Sequence, residues 1–180
     1  MFEKRERQDR QYMKLMIASD IHGSAFYCEQ MLEAYQREEA DRLLILGDIL
    51  YHGPRNDLPE GYAPKEVKFP ILADYCFLEL PAGEVKYGEA EPKRKDTNAE
   101  TISVFATHGH VYHPKHLPPL KNGDILLTGH THIPACEEIT DADGNIYRYL
   151  NPGSVAIPKE ESAHSYMIYE NGCFQWKNMK

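Results

Sequence analysis

Residues 125–134, ILLTGHTHIP, run from four apolar or β-branched residues through a glycine into two histidines one residue apart. A short apolar run ending at a glycine has the texture of a strand buried on both faces of a sheet. An imidazole at the end of such a strand needs a partner, so His130 and His132 raise the question of which other polar residues gather there.

The same vocabulary recurs at three other places. MKLMIAS (13–19) leads into Asp20-Ile21-His22, RLLIL (42–46) into Gly47-Asp48, and ISVFAT (102–107) into His108-Gly109-His110. Between the first two runs, Cys28, Met31, Leu32 and Tyr35 follow the i, i+3, i+4, i+7 spacing of one buried helix face, with Ser24 as N-cap. Strand, helix and strand in this short space predict a βαβ unit with a right-handed crossover and a parallel sheet. In an extended chain residues i and i+2 point to one side, so each D-x-H or H-x-H pair is expected to present two ligands together. Parallel sheets of α/β proteins carry their sites at the carboxyl ends of strands, so the four strand ends should converge on one crevice.

Elsewhere the pattern is looser. Residues 49–64, with three prolines and two glycines, read as a long loop, and residues 83–100 as a polar, mobile one, with one strand expected from FPILADYCFLEL (69–80) between them. After residue 134, Asp143-Gly144 and Asn171-Gly172 sit between β-rich runs and predict antiparallel hairpins.

Size and composition set the outer bounds. The 180 residues, 42% hydrophobic and 27% charged, suit one domain, expected as an N-terminal extension over 1–12 and a single domain over 13–180. With 28 acidic against 20 basic side chains, the formal charge of −8 argues against nucleic acid as a binding partner, and a phosphate substrate would need metal ions beside it. Cys28, Cys76, Cys136 and Cys173 are scattered and read as reduced thiols. The charged N-terminus has no apolar centre, and no run approaches the ~18 apolar residues of a membrane span, so the expectation is a cytoplasmic protein with no membrane partner. Twelve tyrosines leave a homo-oligomer open.

Two aspartates and four histidines gathered at one point make poor core but suit divalent cations. With Asp48 as a bridging carboxylate, two ions ~3.5–4 Å apart would acidify a bridging water to hydroxide and clamp the oxygens of a phosphate ester during in-line attack.

At this point the motifs carry a resemblance. DIHG (20–23), GD (47–48), THGH (107–110) and GHTH (129–132), in that order, resemble the signature of the calcineurin-like metallophosphoesterases. GDILYHGPRNDLPEGYAPKEV (47–67) and NPGSVAIPK (151–159) are similar to the small bacterial and archaeal phosphodiesterases of the YfcE type, and the likeness spans about residues 13–170. The resemblance implies a four-layer α/β/β/α sandwich, two divalent metal ions, usually Mn2+, and hydrolysis of a small phosphodiester. By position, Asp20, His22, Asp48 and His132 would hold the first ion, and Asp48, His108 and His130 the second. His110 would act on the reaction directly, contact substrate or support a ligand. His52, Arg55 and Asn56 would face substrate or form a structured turn, and Asn151 and Ser154 would shape their loop.

One family motif is missing. A strand ending in GNHE, or GNCD in the YfcE type, supplies an asparagine to the second metal, yet no GN pair occurs in residues 57–107. A real deletion would remove a central strand and expose its neighbours' edges. The alternative is that residues present in the molecule are absent from this chain, and Cα spacing near ~3.8 Å at Val67, Lys68 and Phe69 would separate the two. Asn56, Asp57 or water would stand in as ligand after a real deletion. The rival to a metal-dependent phosphodiesterase is a non-catalytic interaction scaffold on the same fold, since fold alone does not fix function. Seven ligand roles filled by six side chains favour the enzyme, and the missing asparagine favours the scaffold.

Overall fold

The computed structural model describes residues 13–53, 56–66, 73–81, 85–88 and 101–179. The expected extension over 1–12, Arg55 and the Val67–Phe69 junction lie outside the described residues.

The predicted βαβ unit is present. β1 (Leu15–Ala18) runs into α1 (Ala25–Arg37), and β2 (Arg42–Ile45) returns parallel to β1, with Ala18 opposite Ile45. Ser24 caps α1, its Oγ accepting from Tyr27 N at 3.1 Å. The buried face differs by a fraction of a turn from the one expected. Cys28, Met31 and Ala34 are buried, whereas Leu32 is 38% exposed. The small Ala34 lets the helix sit close on the sheet, and that rotates Leu32 outward.

The sheets are mixed where the sequence predicts parallel pairing. β9 (Ser165–Glu170) lies antiparallel against the free side of β1, and β10 (Cys173–Asn178) continues the sheet by the hairpin at Asn171-Gly172. β4 (Lys86–Tyr87) pairs parallel with β10, so part of the stretch expected as a loop is a short edge strand. The first sheet therefore runs β2-β1-β9-β10-β4. The second sheet contains β3 (Tyr75–Pro81), β5 (Thr101–Thr107), β6 (Ile125–Thr128), β7 (Ala135–Thr140) and β8 (Ile146–Asn151), in the order β3-β5-β6-β8-β7. Its centre, β5-β6-β8, is parallel and its edges are antiparallel.

Alternation along each strand divides the core. Leu15 and Ile17 of β1, Val104 and Ala106 of β5, Ile125 and Leu127 of β6, and Met167 and Tyr169 of β9 pack together between the sheets. The intervening Met16 and Ala18 of β1 and Tyr166 and Ile168 of β9 face α1. On the far side, Phe105, Leu126 and Tyr149 are covered by Tyr112, Leu117 and Leu120 from the connection between β5 and β6. Burial on both faces is what makes β1 and β6 read as unbroken apolar runs. The molecule is thus a mixed α/β sandwich of two stacked sheets.

Candidate metal centre

The ladder between β1 and β2 does not stop with the strands. Asp20 N donates to Gly47 O at 3.1 Å, His22 N to Asp48 O at 2.7 Å and Gly23 N to Ile49 O at 2.7 Å, so the D-x-H turn and the Gly47-Asp48 turn are zipped together. On the second sheet, Gly129 N donates to His108 O at 2.9 Å. A bond from His130 N to Asp20 Oδ2 at 3.1 Å joins the two sheets at the site.

These turns bring six of the sequence-predicted residues together in two adjacent groups, Asp20–His22–His132 and Asp48–His108–His130. In the inner group His22 Nε2 and His132 Nε2 are 3.1 Å apart, and Asp20 Oδ1 lies 3.6 and 3.3 Å from them. In the outer group His108 Nε2 is 3.4 Å from Asp48 Oδ2 and 3.2 Å from His130 Nδ1. Asp48 Oδ2 also lies 3.8 Å from His22 Nε2, which puts one carboxylate between the groups.

The expected route to this arrangement needs correction. Asp20, His22, His130 and His132 are not on extended backbone, since their φ angles are 61°, 51°, 68° and 66°. The pairs arise because each strand ends and the chain curls through left-handed residues, and this curl sends His130 and His132 to different groups. Strand alternation does not produce the pairing.

The inner group has the donors and the geometry to hold a cation. His22 Nδ1 lies 2.6 Å from Tyr51 O, and His132 Nδ1 lies 2.6 Å from Ile157 O. A carbonyl can only accept, so each Nδ1 carries a hydrogen and each ring turns its Nε2 inward. Asp20 Oδ1 is fully buried and has no hydrogen-bond partner among the described residues. Two lone pairs and a carboxylate oxygen at these separations repel unless a proton or a metal ion sits among them. The donor set, imidazole plus carboxylate, fits a divalent transition ion. Burial pushes the Asp20 carboxyl up, but His132 and His22 outweigh this and hold it well below the usual carboxylate range. Burial likewise pushes His22 down, and Asp20 more than reverses it; His108 behaves the same way, with Asp48 as its partner. His130 is lowered, by burial and then by the neighbouring His108.

The outer group opens onto a cleft of about 420 Å3, lined in part by Asp48, His108, His130, Tyr51, His110 and Asp74. His110 stands exposed on this cleft with its ring 5.7 Å from that of His108. His52 and Asn56 do not line it. Asn56 Nδ2 donates to His52 O at 3.0 Å, and the His52 ring packs edge-on to Tyr62, so both build the turn. Asp57 is exposed and also absent from the cleft wall.

Supporting groups come from the NPGS loop, whose Asn151 and Ser154 reach beyond the loop they were expected to shape. Asn151, fully buried, donates through Nδ2 to Gly129 O at 2.7 Å, and Ser154 Oγ donates to Asp20 O at 3.0 Å. The Tyr51 and Ile157 carbonyls that orient the two histidines escape a sequence reading, because any residue supplies a carbonyl. Gly47 and Gly129 are legible only in retrospect: a Cβ on Gly47 would meet His108 Nδ1 at 2.5 Å, and one on Gly129 would overlap Ser19 Oγ and meet Asp20 Oδ2 at 2.6 Å.

Comparison with known proteins is consistent with this centre. A family model described as a calcineurin-like phosphoesterase superfamily domain matches residues 13–171. The chain is 42% identical over 168 residues to phosphodiesterase YfcE of Escherichia coli strain K12, covering 88% of each, with the same figures for that protein in strain O157:H7. Against the solved structure of YfcE, a phosphoesterase from E. coli, the TM-score is 0.69 at 37% identity, covering 88% of this chain and 89% of the other.

Proposed function

The chain belongs to the calcineurin-like phosphoesterase superfamily, and we propose that it hydrolyses a small phosphodiester at a two-cation centre formed by Asp20, His22, Asp48, His108, His130 and His132. The observation that carries this reading is Asp48 Oδ2, which stands 3.8 Å from His22 Nε2 and 3.4 Å from His108 Nε2 and so serves both groups at once. The preference for a diester rests on the relative of 42% identity being a phosphodiesterase.

When bound, two divalent cations, Mn2+ being the expected pair, would acidify a water between them and neutralise charge on the phosphoryl oxygens. The chain's own residues do the rest. Asp20, His22 and His132 are buried, with the two rings oriented by Tyr51 O and Ile157 O and Asp20 Oδ2 accepting from His130 N, so the inner position is fixed before substrate arrives. His130, exposed beside the cleft, and His108 confront the phosphoryl group and stabilise charge developing there. His110, one residue beyond Gly109, reaches the same cleft and is placed to hydrogen-bond a phosphoryl oxygen or hand a proton to the leaving oxygen.

A scaffold without chemistry has no use for a pair of imidazole nitrogens oriented against a buried carboxylate oxygen that has no hydrogen-bond partner among the described residues, and that geometry favours the enzyme. The test is hydrolysis of an aryl phosphodiester with Mn2+, run beside Asp48→Asn. Turnover should depend on the metal and fall at least on the order of 100-fold in the variant. Turnover no greater than that of Asp48→Asn would sink the reading.

A further inference from the structure

We infer that Asp74 supplies a carboxylate ligand to the outer cation position, completing the group of Asp48, His108 and His130; this rests on the two-cation reading above. The outer group has three donors, and one of them, Asp48, also lies 3.8 Å from His22 Nε2 of the inner group. Divalent ions that favour carboxylate, imidazole and water bind more than three ligands, so the outer position has room for another donor. Asp74 is the one carboxylate besides Asp48 among the described residues lining the cleft.

Strand register places it there. In the antiparallel pair of β3 and β5, Tyr75 stands opposite Thr107 at the end of the ladder, with Asp74 just before the one and His108 just after the other. Thr107 Oγ1 donates to Asp74 O at 2.8 Å and holds the residue at the strand end. The candidates nearer in sequence fail, because neither Asn56 nor Asp57 lines the cleft. Asp74 is exposed, so its side chain is free to swing onto an ion.

Mn2+ titration of the metal-free protein, read by calorimetry and by the EPR signal of unbound Mn2+, tests this without reference to turnover. The wild type should bind two ions. Asp74→Ala should keep the inner ion and lose the outer one or weaken it on the order of 10–100-fold, while Asp74→Asn, whose amide oxygen still ligates, should recover part of the affinity. In Asp74→Cys loaded with Co2+, a thiolate-to-cobalt charge-transfer band absent from the wild type should appear. Two ions bound to Asp74→Ala with unchanged affinities, or no such band in Asp74→Cys, would overturn the assignment. Fewer than two ions on the wild type would overturn it too, and would be recognisable as failure of the two-cation reading itself.

Discussion

Asp20, His22, Asp48, His130 and His132 have φ between 46° and 68°, so five of the six converging residues stand in left-handed backbone. For residues other than glycine that conformation costs on the order of 1–3 kcal/mol each and persists only where the surroundings over-determine it. Here the zipper from Asp20, His22 and Gly23 to Gly47, Asp48 and Ile49 does so. Strain is held in the turns to present side chains that strands alone would aim elsewhere. The glycines beside them are required for close approach. Gly129→Ala would drive a methyl group into Ser19 and Asp20, so it should lower stability by about 1–3 kcal/mol and weaken Mn2+ binding. Urea unfolding and ion titration of the variant check both; an unchanged unfolding midpoint would mean that the turn yields more easily than the geometry implies.

The hairpins were legible at the scale of the element because turn chemistry is local. Asn171-Gly172, with φ of 50° and 80°, joins β9 to β10 as the dipeptide predicts. Asp143-Gly144 marks the turn between β7 and β8, but the group that organises it is Asp141. Its carboxylate accepts from Asp143 N and Asn145 N at 2.9 Å each and from the Tyr147 hydroxyl. Tyr147, then Asn145, hold the Asp141 carboxyl down at about 2. Since an unfolded aspartate titrates near ~3.9, the ionised group contributes stability above that pH, and the contribution is lost as pH falls toward 2. Asp141→Asn should therefore be less stable than the wild type near neutral pH, with the difference shrinking between pH 4 and 2. Denaturant melts across that range would show it, and a pH-independent difference would contradict the assignment. The face of α1 was less legible, since spacing alone admits either Leu32 or Ala34 and only the fit against the sheet chooses.

For the whole molecule, the candidate ligands divide evenly between the sheets. Asp20, His22 and Asp48 follow strands of the first, and His108, His130 and His132 follow strands of the second. An ion held by both groups therefore cross-links the sandwich at one end. Binding to the folded state alone adds ~2.7 kcal/mol at a hundredfold excess over Kd, which for this chain length is a rise of roughly 5–10 °C in Tm. Mn2+ should raise Tm by that amount and a chelator should reverse it. Asp48→Ala, which breaks the shared ligand, should lose most of the rise; a full rise in that variant would exclude Asp48 from the ion positions.

What the sequence determined by itself was the chemistry and its order along the chain: apolar runs that had to be buried on both faces, and Asp-His, Gly-Asp and His-x-His endings that had to gather at one end of the strands. Those follow from local pattern, and the two groups the structure assembles contain the residues so identified. It did not determine that β9 pairs antiparallel with β1, that the candidate ligands come from two sheets, or that the pairs are presented by left-handed turns. It also gave no sign of Asp74, which stands 26 residues from Asp48 in the chain and reaches the cleft only through the pairing of β3 with β5. Each of these depends on contacts between segments far apart in sequence, and only the packed fold brings those segments into register.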